Sequence, residues 1–184
     1  MPLTAVLLAL SAACLHALWN LQLAGARDPE AAAAVALACA VVLLAPVAAV
    51  IGNVSSRAVP YLIPSSALEL LYFGLLAAAY RRAELSVVYP ISRGCAPVLV
   101  LAAGVLFVGV SFSWLQAGGV IFVALGVLLV RDLRELGDPR DLGFALTIAG
   151  TIAGYTLIDK QGVRHADPVT YLELVLIAPA AVAW

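Results

Sequence analysis

Two stretches of this chain decide its fold: residues 3–29, LTAVLLALSAACLHALWNLQLAGARDP, and residues 142–168, LGFALTIAGTIAGYTLIDKQGVRHADP. A constant offset aligns Leu3 with Leu142, Asn20 with Asp159, and Asp28-Pro29 with Asp167-Pro168. About five hydrophobic segments, each of a length that suits a membrane crossing, separate the starts of the two copies. Because that number is odd, the second copy is predicted to cross a membrane in the opposite direction. Such inverted repeats are typical of many secondary transporters.

The composition indicates an integral membrane protein. Hydrophobic residues make up 64% of the chain and charged residues only 11%, against about 25% charged in soluble domains. We therefore predict an all-α polytopic membrane protein, an inverted repeat of five-helix units whose second repeat is incomplete, with about six complete transmembrane helices plus part of a seventh. The predicted spans lie near Leu3–Gly25, Ala31–Gly52, Tyr61–Tyr80, Leu85–Val110, Phe112–Val130 and Leu142–Ile158, and the seventh starts after Pro168.

The predicted organisation has three parts. Residues 1–130 form a first five-helix repeat, residues 131–141 form the connection, and residues 142–184 begin a second repeat. The last apolar run reaches the final residue without a polar flank, so we expect a C-terminally truncated chain. A net charge of −1 gives no reason to expect nucleic-acid binding. The three cysteines have no paired spacing that would indicate a disulfide framework or a metal site.

Polar residues inside apolar helices are the candidates for function, because burying them in hydrocarbon is costly. His16, Trp19 and Asn20 are spaced i, i+3 and i+4, so they share one face of the first helix. That face is a candidate wall of a substrate cavity. The alternatives are a hydrogen bond from His16 to another helix and an interfacial position for Trp19-Asn20.

Glu69 lies near the middle of the third predicted span, beside Tyr72, with no opposite charge in its own helix. Arg93, which shares a helical face with Tyr89 in the fourth span, is the predicted partner across adjacent helices. One interpretation is a structural ion pair, or an Arg93 that snorkels to the interface. In the other, Arg93 meets an anionic substrate group while Glu69 accepts a proton or cation.

The fourth span also contains Pro90, Gly94 and Pro97. Proline lacks a backbone N–H, so these residues are predicted to interrupt or bend the helix and to leave carbonyls facing a cavity.

Three runs of this sequence resemble the EamA-type family of the drug/metabolite transporter superfamily. The run 13–20, ACLHALWN, is similar to the family's opening helix, and the run 85–97, LSVVYPISRGCAP, is similar to a later family helix. The run 113–120, SWLQAGGV, is similar to the start of the fifth. The resemblance implies ten helices in two inverted repeats around a cavity, moving small metabolites across the bacterial inner membrane by exchange or proton coupling. One departure is that Gly109 precedes Val110 and Ser111 where members commonly carry a Gly-Glu pair.

The sequence thus predicts an integral membrane transporter of small metabolites, either amino-acid-like or amphipathic, that works by alternating access. The expected partners are the lipid bilayer, a small-molecule substrate, a proton or counter-solute, and a dimer mate or second chain that completes the fold. An intramembrane lipid-processing enzyme is a competing hypothesis, and an inactive or partner-dependent membrane fragment is another. We expect no catalytic residues, metal or cofactor, because His16 and His165 are the only histidines and Asp159-Lys160 reads as a solitary charged pair at a helix end.

Overall fold

The computed structural model describes residues 3–82, 85–109, 111–129 and 138–182. Within these ranges the chain forms seven α-helices and a short 3₁₀ turn, Ser56–Ala58. The helices are α1 (Leu3–Ala24), α2 (Pro29–Ile51), α3 (Val59–Arg82), α4 (Leu85–Val108), α5 (Trp114–Leu129), α6 (Pro139–Gly162) and α7 (Pro168–Val182). This architecture confirms the predicted all-α polytopic class.

The constant offset between the two sequence stretches also relates the starts of α2 and α7. α2 begins at Pro29, and the Asp28 side chain accepts a hydrogen bond from the Ala31 amide at 3.0 Å. α7 begins at Pro168, and the Asp167 side chain accepts from the Val169 amide at 3.0 Å. An N-cap carboxylate followed by proline suits a helix start, because proline removes an amide that would otherwise be unpaired.

The two equivalent helices α2 and α7 run in opposite directions. Thr170, in the first turn of α7, donates its hydroxyl to the Ala48 carbonyl in the last turn of α2 at 3.4 Å. Just outside the helices, the Asp167 amide donates to the Asn53 carbonyl at 2.9 Å. The start of α7 therefore lies beside the end of α2, as an inverted repeat requires. The boundaries of the two repeats stay a prediction, and residues 130–137 of the connection lie outside the described residues.

Helix α6 is central in the described part of the chain. It packs mainly on α3 and α4, whereas α7 packs on α2 and α3, and α5 packs on α4. Small side chains such as Ala145 and Ala149 are fully buried in α6, which allows the close helix approach common in membrane proteins. α1 makes few contacts, principally with α2, and most of its large apolar side chains are exposed.

Length and composition support membrane crossing. Four described segments are long and apolar enough to span a bilayer: Ala31–Ile51, Ser56–Ala79, Val87–Val108 and Pro139–Gly162. Shorter apolar segments are Leu3–Trp19, Trp114–Gly126 and Pro168–Val182. Large apolar side chains on the outside of the bundle, such as Leu106 and Phe122, suit contact with lipid rather than water.

Two helices differ from the sequence-based expectations, α6 in its bounds and α4 in its continuity. α6 starts at Pro139, where Asp138 caps it through the Arg140 amide, and it continues past the predicted end at Ile158 to Gly162. α4 is a continuous helix through Pro90, Gly94 and Pro97. These three residues therefore do not interrupt it, although each proline removes one intrahelical donor.

Candidate functional site

A cavity of about 910 Å³ lies among α1, α2, α3, α4, α6 and α7. α2 contributes mainly alanines, so its first half presents a smooth apolar wall. The cavity reaches Asp28, which caps the start of α2, and Arg81, near the end of α3. We call this end of the bundle the mouth end. The size falls within the range of small-molecule sites in proteins, about 300–1,000 Å³.

The cavity brings together most of the side chains predicted from the sequence. His16 and Trp19 of α1, Tyr72 of α3, and Tyr89 and Arg93 of α4 all line it. The residues thus converge from three helices. Their contact with substrate stays a prediction.

Arg93 is fixed by aromatic neighbours. Its guanidinium donates to the Tyr72 hydroxyl at 2.8 Å. The guanidinium carbon also lies 5.8 Å from the centre of the Tyr72 ring and 5.4 Å from that of Tyr89. These distances fit cation–π interaction. A planar guanidinium held in this way still offers further donors, since arginine carries five N–H groups.

Aromatic rings continue from Arg93 across the cavity. The Tyr72 and Tyr155 rings meet edge to face with centroids 6.3 Å apart, and Tyr72 and Phe73 do so at 5.1 Å. Tyr155 is the α6 position that the repeat offset aligns with His16, and both residues line the same cavity. These two aligned positions of the sequence stretches therefore line one cavity.

Two predicted residues stand apart from the described lining. Glu69 is buried in α3, with 8% of its surface exposed, and lies within electrostatic range of both Asp159 and Arg93. Its interaction with Arg93 acts through space, whereas the hydrogen bond described for the guanidinium is to Tyr72. Asn20 belongs to α1, but its side chain lies outside the described residues.

Asp159 lies in the last turn of α6, so the predicted position of the Asp159-Lys160 pair at a helix end is confirmed, but Asp159 is not solitary. It accepts hydrogen bonds from the Ser65 hydroxyl and, at 3.1 Å, from the Tyr171 hydroxyl. A signal was present, because the repeat offset aligns Asp159 with Asn20, a candidate residue of the cavity wall. Sequence reasoning also passed over Glu173 of α7, which is 5% exposed and carries an oxygen without a hydrogen-bond partner in the described part of the chain.

The described side chains offer no metal centre, since no three His, Cys, Asp or Glu residues among them are grouped to hold an ion. The described lining instead combines Arg81 and Arg93 with aromatic walls and an alanine-rich side, a composition that suits binding of a small molecule.

Comparison with known proteins identifies the family. The model of the EamA-like transporter family matches residues 3–131, which is more than half of the chain. No curated protein and no solved structure matches. The family match covers the helices that supply His16, Trp19, Tyr72, Tyr89 and Arg93 to the cavity. The protein is a multi-pass membrane protein that belongs to the EamA-like transporter family.

Proposed function

We propose that the cavity binds a small amphipathic metabolite with an anionic group, amino-acid-like in character, and that the protein moves it across the membrane by alternating access. One observation carries this proposal: Arg93 lies in the cavity wall, held between two tyrosine rings and hydrogen-bonded to one of them. A fixed guanidinium suits a carboxylate, which it can meet with two parallel N–H bonds.

The rest of the wall suits the remainder of such a molecule. Tyr72, Tyr89, Tyr155 and Trp19 offer flat apolar faces, and the α2 side is lined by alanines. Aromatic faces provide dispersion and cation–π contact but little compensation for stripping water from a bare ion. An organic solute with both charged and apolar parts therefore fits this cavity better than a small inorganic ion.

The test is binding and transport in vesicles that contain the protein. Labelled amino acids and small organic acids form one panel, and small inorganic ions form the other. We expect activity with the organic panel and loss of at least tenfold in affinity for Arg93→Ala, since a charged hydrogen bond contributes about 1.5–3 kcal/mol and about 1.4 kcal/mol corresponds to tenfold.

The matched control is Arg140→Ala, which removes an exposed arginine at the start of α6. It should leave binding unchanged. Activity confined to inorganic ions, or equal losses for the two arginine variants, would contradict the proposal. Arg93→Lys adds a finer check, because it keeps the charge but loses the planar bidentate geometry.

Coupling is the second part of the proposal, and Glu69 is its candidate group. A carboxyl buried in an apolar helix is costly when charged, so uptake of a proton or exchange with a charged counter-solute provides compensation. We expect Glu69→Gln to retain substrate binding while a pH gradient no longer drives accumulation. If Glu69→Gln accumulates substrate with the same dependence on the gradient, Glu69 has no part in coupling.

The family resemblance supports the bacterial inner membrane as the location.

A further inference from the structure

The end of the bundle opposite the mouth end is closed by a contact between two connections. Val54 lies opposite Ala166 in an isolated antiparallel bridge. On either side of that pair, the Ser55 amide donates to the His165 carbonyl at 2.9 Å and the Asp167 amide donates to the Asn53 carbonyl at 2.9 Å. We call this end, defined by residues 53–55 and 165–167, the bridge end.

A second layer of polar contacts lies next to the bridge. Tyr61 stacks on His165 with ring centroids 5.8 Å apart and planes 15° apart. Towards the bundle interior, Ser65 and Tyr171 both donate to Asp159. The contacts therefore join α3 to α6 and to the loop between α6 and α7, and they join α7 to α6.

A third contact replaces a backbone hydrogen bond that a proline in α7 cannot make. Pro179 lies inside α7 and lacks the amide that would ordinarily bond to the Val175 carbonyl four residues earlier. Ser66 of α3 donates its hydroxyl to that carbonyl at 2.6 Å. α3 and α7 are thus joined by a hydrogen bond that neither helix makes alone.

The cavity ends short of these layers. Its described lining includes Ala40, Leu70 and Tyr155, and none of the described residues in 41–69 or 156–178 takes part in it. A solute in the cavity is therefore separated from the bridge end by the packed Ser65, Asp159 and Tyr171 layer.

We propose that the pairing of residues 53–55 with residues 165–167, together with the Asp159 cluster, is a closed gate that separates when the cavity opens towards the bridge end. This inference deepens the proposed transport function and rests on it. The paired loops, the Ser65 bond to Asp159 and the Ser66 bond to the Val175 carbonyl join the α2–α3 side to the α6–α7 side. A relative movement of the two sides breaks these contacts together, whereas the Tyr171 bond to Asp159 lies within the α6–α7 side. They are mainly polar, and water can replace each lost hydrogen bond when the gate opens.

The gate can be locked covalently. Val54 and Ala166 form the non-hydrogen-bonded pair of the bridge, a geometry in which Cα atoms lie about 4.5 Å apart, and this separation is within the range of a disulfide. The test uses the protein with its three native cysteines replaced by alanine, the pair Val54→Cys and Ala166→Cys, and a reporter cysteine in the cavity wall at Ala77. A membrane-impermeant maleimide is applied to vesicles of both orientations, and labelling of residue 77 is read by mass spectrometry.

With the pair reduced, we expect residue 77 to be labelled in both vesicle orientations, because the gate opens part of the time. After oxidation, labelling from the bridge end should fall at least tenfold, while labelling from the mouth end persists. Reductant should restore the labelling from the bridge end. Proteins with only Val54→Cys or only Ala166→Cys should not respond to the oxidant. Labelling from the bridge end that survives the disulfide, or that is absent even in the reduced protein, overturns the gate.

Solute movement, measured in vesicles that carry Val54→Cys and Ala166→Cys without the reporter cysteine, separates the two proposals. Transport that stops on oxidation and returns on reduction supports both. Transport that continues through the oxidised pair overturns the gate and leaves the transport function standing. If no solute of either panel moves but labelling switches as expected, the gate stands and the proposed transport function fails.

Discussion

The two ends of the bundle are built from the same helices but differ in what those helices place between them. At the bridge end, α3, α6 and α7 bring together Ser65, Asp159 and Tyr171, and hydroxyls meet a carboxylate directly. At the mouth end, the same three helices contribute to the walls of a cavity. At the bridge end, polar side chains of neighbouring helices therefore bond directly to one another. At the mouth end, polar and aromatic side chains line a cavity instead.

The charged groups at the two ends illustrate this difference. Asp159 accepts hydrogen bonds from residues of two other helices. Arg93 donates to the Tyr72 hydroxyl of α3, and its guanidinium lines a cavity. A group bonded by neighbouring helices stabilises their packing, while a guanidinium in a cavity wall has further donors that can receive a ligand. Substitutions at each end should therefore have different consequences, stability at one and binding at the other.

The largest effect on stability should come from Gly162, at the bridge end. A Cβ at this position would lie 2.3 Å from Cε2 of Tyr171, and the tyrosine is almost fully buried. Gly162→Ala should therefore lower the free energy of unfolding by about 1–3 kcal/mol, the usual cost of overpacking. Thermal unfolding in detergent measures this loss of stability.

Gly118→Ala in α5 is the matched control, because nothing lies within 4 Å of a Cβ there. It should leave the unfolding temperature nearly unchanged. Gly162→Ala and Tyr171→Leu together should cost less than the sum of the two single changes, because the ring that clashes with the new methyl group is then absent. Equal shifts for the two glycine variants would show that the bridge end is not closely packed at Gly162.

An effect of comparable size is expected from the donors to Asp159. Ser65→Ala and Tyr171→Phe each remove one hydroxyl and leave the carboxylate less satisfied, which should cost about 1–3 kcal/mol of unfolding free energy for each. Because both donors share one acceptor, the double variant should deviate from the sum of the single variants. Chemical unfolding of the four proteins measures this coupling. Strict additivity would mean that the two hydroxyls act independently and that Asp159 does not link them.

Much of this architecture was predictable because it depends on local signals. Hydrophobic length fixed the helices, and Asp28-Pro29 and Asp167-Pro168 marked equivalent helix starts through capping chemistry. The cavity was predictable in part, since His16 and Arg93 are costly in an apolar helix wherever they lie. The Asp159 cluster was not found, because Ser65, Asp159 and Tyr171 are distant in sequence and only the packing of α3, α6 and α7 makes them neighbours.

The smallest expected effect tests how firmly the mouth end holds its cation. Tyr72→Phe removes the hydroxyl that accepts from Arg93 at 2.8 Å but keeps the ring that lies beside the guanidinium. Cation–π contact therefore persists, and only one hydrogen bond to Arg93 is lost. We expect substrate affinity to fall about 2- to 10-fold, which corresponds to about 0.5–1.5 kcal/mol, with little change in unfolding temperature.

The comparison variant is Tyr61→Phe at the bridge end, which keeps the ring that stacks on His165 and lies outside the described cavity lining. It should not change affinity, since the Tyr61 hydroxyl is remote from Arg93 along α3. Equilibrium binding of the same labelled solute measures the affinity of both variants and of the parent protein. If Tyr72→Phe binds like the parent protein, the hydrogen bond does not position the guanidinium and the two aromatic rings suffice. If Tyr61→Phe weakens binding as much as Tyr72→Phe, the two ends are energetically coupled, and the distinction between a packing end and a binding end must be abandoned.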